Sequence, residues 1–282
     1  MQRPNASPMD DVVSYDFGVV GKRARSRDYF RVVTWNIERG LQFAGILEFL
    51  RTAGADLMLL QEVDEGVRRT QYRSVASELA RELGLKCVFA REFQELGAGA
   101  LSTPAYHGLA TLSPWPLGRG RIIRFQRQSG FWKPRWYLPR IELFQRRLGG
   151  RIALVTDALI CGQRLRVYNL HLESKGKEDL RLQQLREVLE DARETPESTR
   201  VILAGDLNLV AAEGGAAERL IAAGFHDAVR LPKLATTIGN GRFSRGRSID
   251  WIYVSGAGCS VGQVHSDVRA SDHYPVSAKL QL

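Results

Sequence analysis

Four apolar runs in this chain each end on side chains that can carry chemistry. Val32-Val33-Thr34-Trp35 leads to Asn36, and Leu57-Met58-Leu59-Leu60 leads to Gln61 and Glu62. Val167-Tyr168-Asn169-Leu170 leads to His171, and Val201-Ile202-Leu203-Ala204-Gly205 leads to Asp206 and Asn208. Short runs rich in Val, Ile and Leu predict buried strands. Folds of mixed strands and helices gather their ligand sites at strand ends. Strands laid side by side would therefore bring these carboxylates, amides and imidazoles into one crevice. No thiolate belongs to the set. Hard oxygen donors suit Mg²⁺ better than zinc.

The rest of the chain fits an α/β protein. Further strands are predicted at 86–90, 109–112, 121–125, 140–144, 152–160 and 249–254. Apolar residues recur every three or four positions at 43–52, 71–83, 178–194 and 215–223, which predicts helices there. Strands mixed with a few helices imply sheets covered by helices. Residues 94–106 and 127–138 are expected to be long loops. Residues 1–28 are polar, with no apolar signal-peptide core, and are expected to form a flexible arm before a single domain at 29–282.

Composition narrows the function classes. Hydrophobic residues make up 44% and charged residues 25% of the 282, as in a globular domain. The three cysteines, Cys87, Cys161 and Cys259, are far apart, which excludes a zinc ribbon and fits a reduced, cytoplasmic setting. HExxH and P-loop signatures are absent. The formal net charge is +9, with 33 arginines against 7 lysines. Arginine pairs with phosphate in a bidentate fork, so the bias suits a phosphate-rich partner.

Six segments, in order, carry a resemblance. They are Thr34-Trp35-Asn36, Leu60-Gln61-Glu62-Val63, Asn169-Leu170-His171-Leu172, Gly205-Asp206-Leu207-Asn208, Ile249-Asp250-Trp251 and Ser271-Asp272-His273. A further block, Gly108-Leu109-Ala110-Thr111-Leu112-Ser113 with Pro116-Leu117, joins them. Each alone occurs by chance, but the ordered set resembles the endonuclease/exonuclease/phosphatase family. The resemblance implies a four-layer sandwich, two packed mixed β-sheets flanked by helices, as in deoxyribonuclease-like proteins. It also implies a Mg²⁺-dependent hydrolase of phosphate esters, with Mn²⁺ as a substitute ion.

The same resemblance suggests roles. Glu62 is the main metal carboxylate, with Asn36 beside it orienting it or the scissile phosphate, and Asp250 either on the metal side or bracing the site from behind. Asp206 positions or deprotonates the attacking water, and Asn208 donates to the phosphoryl oxygens. His273 contacts the phosphate, with Asp272 fixing its tautomer. The choice between Asp206 and His273 as base stays open. His171 matches the nuclease, sphingomyelinase and tyrosyl-DNA phosphodiesterase branches, and argues against an abasic-site endonuclease.

Between Arg119 and Arg151 stand ten basic residues and one acid, Glu142, interleaved with aromatic residues. Trp132, Arg135 and Trp136 there, with Arg242 and Arg245 near Asp250, are candidate substrate contacts. Such a mixture suits nucleic acid, whose bases stack on rings, or an anionic membrane surface. A strand pair with one basic and one aromatic face is the structural alternative. The leading expectation is a phosphodiesterase or nuclease acting on DNA or RNA. Its rivals are a lipid head-group phosphodiesterase, a small-molecule phosphatase and a nucleic-acid-binding protein with a dead site. Nothing in the sequence indicates a protein partner.

Overall fold

The computed structural model describes residues 12–18, 28–100, 103–132, 137, 146–210, 215–229, 234–239 and 246–281. Among them, two β-sheets pack face to face with helices on both outer sides. The first sheet holds β1 (Val12–Asp16), β2 (Tyr29–Arg39), β3 (Leu57–Glu65), β4 (Lys86–Ala100), β5 (Thr103–Ser113), β7 (Arg147–Gly149), β13 (Cys259–Val264) and β14 (Val276–Gln281). Its order is β1-β4-β5-β3-β2-β14-β13, with β7 on the far part of β4. The second holds β6 (Arg121–Arg124), β8 (Ile152–Ile160), β9 (Gln163–His171), β10 (Arg200–Asp206), β11 (His226–Asp227) and β12 (Asp250–Ser255), in the order β11-β12-β10-β9-β8-β6.

Side-chain alternation builds the layers. Along β2, Phe30 and Val32 point into the seam between the sheets, where they meet Ile202, Ile252 and Val167. Val33, Trp35 and Ile37 point outward to α1 (Phe43–Thr52) and α2 (Val75–Leu83). On the opposite side, α3 (Glu178–Arg193) buries Leu182, Leu185 and Leu189 against β9 and β10, joined by α4 (Ala216–Ala222). Acids in the first turn of α3 and Arg193 in its last turn match the helix dipole. The arrangement is the expected four-layer sandwich of two mixed sheets. Both β2–β3 and β9–β10 are parallel pairs inside otherwise antiparallel sheets. No described helix is long and apolar enough to cross a membrane.

Two expectations change. The stretch expected as a flexible arm contains β1, which pairs antiparallel with β4. Val12 packs on the Val88–Leu154 cluster, while Tyr15 and Phe17 pack on the outer core, so this segment has apolar surface to bury. Residues 94–106 are largely the two arms of the β4–β5 hairpin rather than a loop. Residues 133–136 and 138 of the loop expected at 127–138, and all of the strand expected at 140–144, lie outside the described residues.

Candidate active site

The ends of six strands or strand-adjacent loops meet at one edge of the seam. Asn36 sits on β2, buried, and its Nδ2 donates to Asp206 Oδ2 at 3.2 Å. Its Oδ1 accepts from the Glu38 amide at 3.1 Å. Beside it, β3 bulges: Leu60 pairs with Ala110 but Val63 pairs with Gly108, so Gln61 and Glu62 together face one residue of β5. Glu62 has φ 52°, a left-handed value that is strained for a non-glycine. A bulge of this kind re-aims a side chain out of the ladder. Glu62 is the partly open member of the site, with a side chain 19% exposed and 3.8 Å from Arg39. Burial pushes its carboxyl up, but the pull of His107, Arg39 and Arg151 outweighs this and lowers it to about 2. It is a carboxylate across the ordinary pH range.

In the second sheet three functional residues stand abreast. Asp206 on β10 pairs with His171 on β9 on one side and with Asp250 on β12 on the other. Gly205, just before Asp206, makes this approach possible. Its φ is +147°, and a Cβ there would lie 2.0 Å from the Leu170 carbonyl oxygen. After β10 the chain turns through Asn208, φ 51°. The Asn208 amide donates to Asp206 Oδ1 at 2.9 Å, and its side chain donates to the Leu172 carbonyl at 3.1 Å.

The two imidazoles flank Asp206 symmetrically. His171 Nε2 and His273 Nε2 each lie 3.8 Å from the same oxygen, Asp206 Oδ2. His273 is seated from β2: Trp35 Nε1 donates to its carbonyl at 2.9 Å, and Ser271 Oγ bridges the Asn36 carbonyl and the His273 amide. Its Nδ1 faces Asp250, with oxygens at 2.9 and 3.1 Å. Burial alone would lower the ring, but Asp250, helped by Asp206 and Asp272, carries it up to about 10.

Here one expectation needs correction. Asp272 is exposed and its carboxylate accepts locally, from Ser271 Oγ, so it does not orient His273. Asp250 does, and Thr236 Oγ1 donates to the same carboxylate at 2.6 Å. With both oxygens turned to the imidazole, Asp250 braces the histidine side of the site. Asp206, Asp250 and His273 bring three ligand atoms within 4.8 Å of one another.

Of the substrate-contact candidates, Trp132 is the one described, and it points inward. It is 7% exposed, its ring packs 5.1 Å from Phe93, and its Nε1 donates to Glu173 Oε2 at 2.8 Å. Arg135, Trp136, Arg242 and Arg245 lie outside the described residues. The sequence reading missed a buried ionic layer behind His171. Glu92 accepts from Arg151 at 2.8 Å, and Arg151 also reaches His171 Nδ1 at 2.8 Å. Burial raises the Glu92 carboxyl, yet the charge of Arg151 wins and holds it at about 2. Asp64 binds His107 Nδ1 at 2.9 Å close by. The one signal in sequence was an acid, Glu92, standing inside a run of strand-forming residues. Nothing there marked it as buried.

A family model, the Endonuclease/Exonuclease/phosphatase family, matches residues 33–273. Among curated proteins none matches the sequence significantly. An endonuclease/exonuclease/phosphatase from Beutenbergia cavernae shares the fold at TM-score 0.68 and 20% identity, over 91% of this chain and 72% of that one. TDP2 from D. rerio, solved in complex with a single-strand DNA product, superposes at TM-score 0.61 and 18% identity, over 91% of this chain and 100% of that one. A Bacteroides vulgatus member gives 0.65 at 17% identity, over 91% and 100%. The family match takes in every site segment from β2 to the Ser271-Asp272-His273 turn, and the chain belongs to the endonuclease/exonuclease/phosphatase family.

Proposed function

We propose that this phosphoric ester hydrolase is a divalent-metal-dependent phosphodiesterase that cleaves nucleic acid by in-line attack of water. The observation that carries the reading is the pair of imidazoles set 3.8 Å from one oxygen of Asp206, with Glu62 ionised and partly open beside them. Glu62 would hold the cation, with Asn36 at its side. The donors are oxygens and none is a thiolate, the chemistry that fits Mg²⁺ or Mn²⁺. Bound there, the ion neutralises the phosphate and stabilises the leaving oxygen.

The chain's own residues do the rest. Asp206 is aimed by Asn36 and by the Asn208 amide, which leaves it fixed to orient the water and take its proton. His273, charged through Asp250, offers Nε2–H to a phosphoryl oxygen as negative charge develops. His171 offers a second donor from the other side. Asn208 closes the site next to Asp206.

The nucleic-acid preference rests on charge, the net +9 and the arginine-rich stretch 119–151. Labelled single- and double-stranded DNA and RNA, incubated with Mg²⁺, Mn²⁺ or EDTA, test the reading. The expected result is metal-dependent cleavage of at least one polymer. Failure on all of them, with turnover of a lipid head-group ester or a small phosphate ester, would reject it.

A further inference from the structure

His171 and His273 flank the same oxygen but are held by opposite kinds of partner. His273 Nδ1 faces a carboxylate, an acceptor, so that nitrogen carries a proton. His171 Nδ1 lies 2.8 Å from Arg151 Nη1. A guanidinium has only donors and stays protonated in proteins. At that distance one of the two nitrogens must accept, and only the imidazole has a lone pair to do so. The competing acceptor, Glu92 Oε2, stands 3.6 Å from His171 Nδ1, beyond a hydrogen bond. Glu92 uses its other oxygen, Oε1, to accept from the same Nη1 at 2.8 Å. The two hydrogens of Nη1 are thus both assigned, one to Glu92 and one to His171.

Arg151 is also firmly seated. It is 7% exposed, lies 5.5 Å over the Trp132 ring, and reaches Ser174 Oγ at 3.4 Å. Trp132 is in turn pinned by Glu173. The inward turn of Trp132 makes sense in this light, since the ring forms one wall of the arginine's slot.

We propose that Arg151 is a positioning residue that fixes His171 as the Nε2–H tautomer, so that His171 donates a hydrogen bond to the phosphate and takes no part in proton transfer. The role of His171 on a phosphate rests on the function proposed above; its tautomer does not. With Nδ1 covered by Arg151, the ring has no free lone pair for a proton. Losing the Nε2 proton would leave an imidazolate anion facing Asp206 and Glu62. The two histidines therefore divide the work: His273 is the ring that can be charged, and His171 is a fixed neutral donor.

Long-range nitrogen–proton NMR of the intact protein near neutral pH tests this, with His171 assigned by its loss in His171→Gln. An unprotonated Nδ1 and a protonated Nε2 are expected. A proton on Nδ1, in a neutral or a charged ring, overturns the proposal whatever the substrate. Folded Arg151→Met is expected to release Nδ1 to Glu92 and move the proton to it, and an unchanged tautomer there overturns the positioning role. Should that variant fail to fold, the wild-type spectrum still decides. Kinetics on a cleaved substrate add a second readout. His171→Gln keeps an N–H near the Nε2 position, so it should retain at least about tenfold more kcat than His171→Ala, which loses about 100-fold. Equal losses in the two variants overturn the donor-only role.

Discussion

Asp250 lies 2.9 Å from His273 Nδ1, with both carboxylate oxygens turned toward the ring. An amide in its place can present a donor and favour the wrong tautomer, as known for other His–Asp pairs. Asp250→Asn should therefore cost about 100-fold or more in kcat. Asp272→Asn, on an exposed side chain, should stay within about threefold. Steady-state kinetics on one substrate compare them, and equal effects would contradict the assignment. The pair also has a pH signature in stability. Its folded-state imidazole is raised from 6.5 to about 10, so its contribution is complete below 6.5 and lost as pH rises through about 10. Urea unfolding across that range should show the loss in the wild type and a flatter profile in Asp250→Asn. Sequence showed Glu62, His171 and Asp206 because each follows an apolar strand run. It misassigned the partner of His273 because adjacency is a poor guide. In this turn Asp272 faces solvent while His273 is buried.

Strand β10 carries Asp206 to its place between β9 and β12, and Gly205 sets how closely they approach. A methyl group there would meet the Leu170 carbonyl at 2.0 Å, backbone against side chain, at φ +147°. Gly205→Ala should lose more than about 2 kcal/mol in urea unfolding and displace Asp206. A stability change under about 0.5 kcal/mol would show that the strands can separate freely at this point. The buried elements were legible from pattern. The run at 152–160 is a strand with those same bounds, and the helix expected at 43–52 is α1. Less legible were β14 and the outer β4–β5 hairpin. In β14 the alternation Val276, Ala278, Leu280 is present, but Ala has weak strand preference and Lys279 and Gln281 blur it. In the hairpin, β4 runs on through Gly97 and Gly99 beyond the core, so no apolar period marks it. Trp132 looked like a loop-tip aromatic because clustered Trp, Pro and Arg suggest protrusion; its fate was decided by Glu173 and Phe93, which sequence could not place beside it.

The molecule as a whole is a pair of sheets whose seam is apolar at depth and ionic at one edge. Amides clip the sheets together beneath the site: Gln61 Nε2 donates to Asn169 Oδ1 at 2.7 Å, and Asn169 Nδ2 donates to carbonyls of β3 and β5. The four-layer plan came from the resemblance of the six motifs, since periodicity alone gave only sheets covered by helices. With a net charge of +9, binding should be strongly salt-dependent. Affinity of catalytically silenced Glu62→Ala for single-stranded DNA should fall with log salt at a slope of about −0.7 per phosphate contacted. A flat response would remove the electrostatic case for a nucleic-acid substrate. The central claim is that Glu62 holds a divalent ion at a phosphodiester-cleaving site. The most direct measurement is cleavage of labelled DNA and RNA by wild type and by folded Glu62→Ala, each with Mg²⁺ and with EDTA. Mg²⁺-dependent cleavage by the wild type, cut about 100-fold or more by either change, is the expected result. Cleavage that survives both EDTA and Glu62→Ala within about tenfold would contradict it.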